Sequence, residues 1–133
     1  MGAGLWPVFE PPIVDITPAM DGKILLAALE DLDDLAGELG AREVSSFGDN
    51  RDVPDDFEGG PEELDDAMGP WDEWFAIEDG VGSFSVLAGA LEKPSFAERF
   101  DDPSGVGAEL REMVRCLELA RDRGVRFRLE VLA

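Results

Sequence analysis

The chain of 133 residues contains no His, no Tyr and a single Cys, Cys116. Because His is the commonest general base and a frequent metal ligand, its absence removes most of the usual catalytic and metal-binding arrangements. The two lysines, Lys23 and Lys93, offer little replacement. One Cys excludes an internal disulfide, which fits a reducing cytoplasm. We therefore predict no catalytic residues, no cofactor and no metal site.

Long hydrophobic runs and targeting signals are also lacking. No apolar run approaches the roughly 18 residues that a membrane-spanning helix requires. The stretch Met1 to Trp6 has neither the basic region nor the apolar region of a signal peptide. Trp6 stands where an N-myristoylation motif needs Ser or Thr. We expect a cytoplasmic protein that does not bind membranes.

Basic side chains are scarce, with 11 Lys and Arg against 31 Asp and Glu, so the formal net charge is −20. Such a charge repels the phosphate backbone of nucleic acids and anionic lipid surfaces, and we expect neither as a partner. The hydrophobic fraction of 44 % is too high for a disordered acidic tail. A single domain spanning residues 1–133 is therefore predicted.

The negative charge is concentrated in one part of the chain. Residues 49–79, which we call the acidic segment, contain 13 acids and one base, Arg51, for a net charge of −12. Residues 99–133 contain 7 acids and 7 bases and are neutral overall. This distribution predicts a patterned surface rather than a uniformly acidic one.

Two long segments have the periodicity of amphipathic helices. The first spans residues 21–39, with Asp21 as the preferred N-cap and Gly40 at its end. The second spans residues 103–123, with Pro103 in its first turn and either Asp102 or Ser104 as the cap. Their apolar stripes consist of Leu25, Ala28, Leu29, Leu32, Leu35, Ala36 and Leu39 in the first helix, and Val106, Leu110, Met113, Val114, Leu117 and Ala120 in the second.

Residues 125–131 alternate between apolar and charged side chains, which predicts a strand. Its inward residues are predicted to be Val125, Phe127, Leu129 and Val131. A strand needs a partner, and residues 5–9, 13–16 and 74–78 are the candidates. We predict an α+β fold in which the two long helices pack on a small, mainly antiparallel sheet that includes this C-terminal strand.

The middle of the chain predicts shorter elements. Residues 41–60 read as a loop anchored by the apolar side chains of Val44, Phe47, Val53 and Phe57. A short helix is predicted from Pro61 to Met68, whereas residues 71–77 are ambiguous between a helical turn and a strand. After a turn at Asp79 and Gly80, a further helix is expected over residues 84–91.

Two motifs resemble binding sites but lack residues that those sites require. The glycines of Gly80 to Ser85 suggest a dinucleotide-binding turn, but Ser85 replaces the third small residue and no βαβ unit precedes it. An EF-hand loop beginning at Asp49 or Asp52 would place Arg51 or Pro54 where a carboxylate is needed. An irregular cation site in this stretch remains an alternative. Cys116 lies on the apolar stripe and is interpreted as a buried hydrophobic residue.

Trp71, Trp74 and Phe75 would share one face if their segment were helical. They either anchor the acidic segment to the core or form an aromatic centre within an acidic rim, as steered protein interfaces do. We hypothesise a non-enzymatic interaction module that binds a basic protein, either as an immunity-type inhibitor or as a nucleic-acid mimic. The predicted contact residues are Asp55, Asp56, Glu62, Glu63, Asp65, Asp66, Trp71 and Trp74.

Two alternatives remain open. The acidic surplus extends to residues 1–48, with 9 acids and 2 bases, so it could reflect adaptation to a high-salt host and not a binding function. The carboxylates could instead serve an enzyme or a divalent-cation site. The sequence leaves the oligomeric state open.

Overall fold

The computed structural model describes residues 3–13, 15–48 and 73–132. As predicted, the fold is α+β, with helices packed on a two-stranded antiparallel sheet that includes the C-terminal strand. The two longer helices that pack together are Ile77–Ala90 and Pro103–Ala120, so only the second of them belongs to the predicted pair 21–39 and 103–123. The elements in chain order are β1 (Gly4–Glu10), α1 (Lys23–Ala27), α2 (Leu29–Leu39), a 3₁₀ turn (Val44–Phe47), α3 (Ile77–Ala90), α4 (Pro94–Ala97), α5 (Pro103–Ala120), a second 3₁₀ turn (Arg121–Arg123) and β2 (Arg126–Leu132).

Strand β2 is paired along both of its edges. On one side it pairs with β1, in a register that runs from Gly4 opposite Leu132 to Glu10 opposite Arg126. On the other side Phe75 forms an isolated bridge with Phe127, whose two backbone hydrogen bonds measure 2.8 and 2.9 Å. Two of the three candidate partner segments therefore contact β2. In the third segment, the described residues Ile13, Asp15 and Ile16 belong to no strand.

The register explains how β1 accommodates a proline. Phe127 directs both its N–H and its C=O toward Phe75, so it makes no ladder bond to β1. Hydrogen-bonded and non-hydrogen-bonded pairs alternate along an antiparallel ladder. Because Phe9 lies opposite Phe127, Pro7, which lies opposite Leu129 two pairs further along, is also in a pair without ladder hydrogen bonds. Its missing N–H costs no hydrogen bond. Leu5 has the same orientation, and its N–H donates instead to the carbonyl of Gly22 at 3.0 Å.

The first predicted helix is interrupted at Ala28 and becomes α1 and α2. Neither Pro nor Gly lies near this position, so no local helix breaker marks it in the sequence. The N–H of Leu25 donates to Oε1 of Glu109, a buried carboxylate of α5, at 3.0 Å. This bond and the contact of Gly22 with β1 fix the direction of α1, while α2 packs on the first 3₁₀ turn and α3.

The predicted helix ends are confirmed in part. Asp102 is the N-cap of α5, accepting the N–H of Gly105 at 3.0 Å, and Gly124 follows with a φ of 69°. Gly40 ends α2 with a φ of 71°. The predicted N-cap of the first helix was wrong by one residue, because Gly22 occupies that position and Asp21 accepts the N–H of Lys23 from outside the helix.

The expectation for α3 was wrong at its start. The helix begins at Ile77, so Asp79 and Gly80 lie within its first turns and form no separate turn. A Cβ placed on Gly80 would lie 2.5 Å from Cζ of Phe127. The glycine therefore serves close packing of α3 on β2, which the sequence alone does not reveal.

The core is centred on Phe47, Phe84 and Phe127, which are fully buried. The ring centroid of Phe47 lies 5.4 Å from that of Phe84 and 5.2 Å from that of Phe127. Val44 and Phe47 anchor the chain after α2 as predicted, whereas Val53, Phe57 and the predicted helix at 61–68 lie outside the described residues. Val131 was predicted to face the core but is 56 % exposed, because β2 extends beyond the core there.

Across the described residues, no helix combines the length and hydropathy that crossing a lipid bilayer demands.

Candidate functional site

Of the predicted contact residues, Trp74 belongs to the part of the chain that the structure describes. The others (Asp55, Asp56, Glu62, Glu63, Asp65, Asp66 and Trp71) lie outside the described residues, as does the stretch in which a cation site was considered. The described part of the acidic segment is its C-terminal end, residues 73–79, where it joins the fold.

Phe75 fixes this end of the acidic segment to the core. The backbone N–H and C=O of Phe75 both hydrogen-bond to Phe127, and its side chain is 8 % exposed. Its ring packs edge-on against that of Phe47, with the ring centroids 5.4 Å apart. The backbone is therefore held by two hydrogen bonds and the side chain by aromatic packing. Of the aromatic residues considered from the sequence, Phe75 is buried in the core.

Trp74 lies on the opposite side of the sheet from Phe75, because successive side chains of an extended chain alternate. The guanidinium carbon of Arg128 lies 4.2 Å from the centroid of the Trp74 ring, within the range of a cation–π contact. Nε of Arg128 also contacts Oε2 of Glu130 at 2.9 Å, and both side chains are largely buried. Trp74 is thus a half-buried aromatic side chain held over an ion pair.

Arg42 packs over Phe47 and Phe75, where the acidic segment joins the fold. Its guanidinium carbon lies 4.4 Å from the ring centroid of Phe47 and 4.6 Å from that of Phe75. The same side chain donates to Oγ of Ser46 at 2.8 Å and lies 3.9 Å from Asp79. Sequence reasoning identified neither Arg42 nor Arg128 as part of this site. The outward position of Arg128 on the alternating strand was the only available signal.

Helix α5 carries a second polar cluster, made of Glu112, Arg115 and Cys116. Oε2 of Glu112 accepts the N–H of Ala19 at 2.6 Å, and Oε1 accepts from Nε of Arg115 at 2.7 Å. The hydrogen bond from Arg115 is the main cause that lowers the pKa of Glu112 to about 2. Cys116 is fully buried, and desolvation together with the nearby Glu112 charge raises the pKa of its thiol to about 11. The thiol therefore remains protonated at neutral pH and is not an activated nucleophile.

This cluster belongs to a set of charged contacts that hold residues 15–25 on the C-terminal part of the chain. Besides Glu112 and Ala19, Glu109 accepts the N–H of Leu25, and Arg123 forms two hydrogen bonds of 2.7 Å with the carboxylate of Asp15. Each contact joins a carboxylate to a backbone N–H or to a guanidinium. We call these contacts the carboxylate clamp. Its role is structural.

We expect the clamp to make the protein sensitive to acid. The pKa of Glu112 is lowered from 4.5 to about 2 in the folded state, so its contribution is complete above its unfolded pKa. It is lost as the pH falls from about 4.5 to 2. Lowering the pKa from 4.5 to about 2 corresponds to about 3 kcal/mol. The hydrogen bond from Arg123 likewise lowers the pKa of Asp15. Urea unfolding followed by circular dichroism between pH 7 and pH 2 measures the loss.

A variant pair tests the assignment to Glu112. Glu112→Gln should lower stability at neutral pH and flatten the acid-dependent loss. Glu118→Gln removes an exposed carboxylate from the same helix and should leave the pH profile unchanged. Equal profiles for the two variants would contradict a role for Glu112 in acid sensitivity.

The surface has several concave regions. One has a volume of about 590 Å³ and lies between α3 and α5, and a smaller one of about 260 Å³ lies beside the interruption between α1 and α2. Within residues 3–13, 15–48 and 73–132, no three His, Cys, Asp or Glu side chains gather as a metal site would require.

Comparison of the chain with protein-family models, curated proteins and solved structures finds no significant match.

Proposed function

We propose that the protein is an interaction module that binds a basic protein through the acidic segment, without catalysing a reaction. The observation that carries this proposal is the charge of residues 52–79, which include 12 acids and no base. A field of this density attracts a cationic partner and accelerates its association. An inhibitor that covers the basic cleft of a nuclease, or a mimic of nucleic acid, would use such a surface.

The attachment of the acidic segment supports the proposal. Phe75 is tied to β2 by its backbone and to Phe47 by its ring, so the chain enters the fold at a defined point. Trp74, next to it, supplies a large aromatic surface of the kind that dominates binding energy at interface centres. Glu73 is exposed beside it. Acidic side chains that would speed association with a partner and an aromatic side chain that would slow its dissociation therefore lie next to each other.

Several described arginines are engaged with carboxylates. Arg99 pairs with Glu38, Arg111 with Glu92, and Arg121 with Glu78. These pairs neutralise much of the positive charge carried by the C-terminal part of the chain. A basic partner would meet little repulsion from it.

The partner is sought by affinity capture from the native host at low salt, repeated near 1 M salt, with captured proteins identified by mass spectrometry. Binding kinetics with the purified partner then test the surface. Neutralising Glu62, Glu63, Asp65 and Asp66 to Gln or Asn should slow association and flatten its salt dependence, because rim charges act mainly on the association rate. Trp74→Ala should accelerate dissociation, provided that circular dichroism shows a folded domain.

A matched control uses four exposed acids elsewhere, Glu30, Asp31, Asp34 and Glu43, replaced by their amides. This variant changes the net charge equally but leaves the acidic segment intact. If it slows association as much as the first variant, binding depends on total charge and the assigned surface is wrong.

Adaptation to a salt-rich environment is the second candidate. It is favoured by the scarcity of lysine and by the acids of residues 1–48, which extend the surplus beyond the acidic segment. Because screening shortens the Debye length from about 10 Å at 0.1 M to about 3 Å at 1 M, the melting temperature should rise with KCl. If amide substitution in the acidic segment raises stability in dilute buffer and no partner is lost, this second explanation replaces the first.

A further inference from the structure

We draw no further inference here: the strongest candidate, the apolar cleft of about 260 Å³ beside the interruption between α1 and α2, carries nothing because its carboxylates, Asp31, Asp101 and Asp102, lie at the N-termini of α2 and α5, where acids stabilise a helix, and nothing among the described residues shows what occupies it.

Discussion

Replacing Phe127 with alanine is expected to lower the free energy of unfolding by about 3–5 kcal/mol, the range for a fully buried phenylalanine. Phe127 is 0 % exposed, and its ring contacts Phe47 while its backbone pairs with Phe75. Gly80 brings α3 directly onto the same ring, so the surrounding helix cannot collapse without moving its backbone. Urea denaturation monitored by circular dichroism measures the change.

Val131 supplies the control on the same strand. It is 56 % exposed, and Val131→Ala should change stability by less than about 0.5 kcal/mol. If both substitutions cost the same, β2 does not lie in the core as described. A loss near zero for Phe127→Ala would show that the aromatic cluster contributes little to stability.

Gly22→Ala is expected to destabilise the fold by at least about 3 kcal/mol. Gly22 has a φ of 75°, where an L-residue is strained by roughly 1–2 kcal/mol. An added Cβ would also lie 2.2 Å from the carbonyl oxygen of Leu5, a backbone atom of β1 that cannot rotate away. Relieving the clash requires β1 and α1 to separate, which breaks the hydrogen bond from Leu5 to Gly22.

Gly37→Ala is the matched control, because the same change occurs within α2, where an added Cβ meets nothing within 4 Å. Alanine has the better helix propensity, so stability should rise by roughly 0.5–1 kcal/mol. Thermal and urea unfolding of both variants should therefore move in opposite directions. Two shifts of the same sign would contradict the close packing of the chain at Gly22 against β1.

Elements governed by local rules were predictable from the sequence. The alternation of residues 125–131 identified β2, and the pattern Asp102-Pro103 with a terminal Gly124 bounded the second long helix. In these places propensity, capping and hydrophobic period all favour one structure. The fold class follows from the same signals, because amphipathic helices and an alternating strand must bury their apolar faces against each other.

The missed features depend on contacts between distant residues. The interruption at Ala28 separates α2 from α1, whose first turn is held by the carboxylate of Glu109 and by β1, and no local residue signals it. In the sequence Gly80 resembles a turn residue, but in the structure its lack of a side chain lets α3 pack closely on Phe127. At the candidate site, sequence placed Trp74 and Phe75 together but not on opposite sides of the sheet. The contacts of Arg42 and Arg128 with these rings form only in the folded chain.

The pairing of β1 with β2 also determines when the sheet can form. Glu10 of β1 lies opposite Arg126 of β2, so β1 cannot form the sheet until β2 has been synthesised. Closing a loop of roughly a hundred residues costs about 4 kcal/mol in chain entropy. Helices α3 and α5 have no such delay, because they can form and meet from nearby residues. On the ribosome, β1 should therefore stay unpaired while the helices assemble, and it should join the fold as the final step once β2 leaves the exit tunnel.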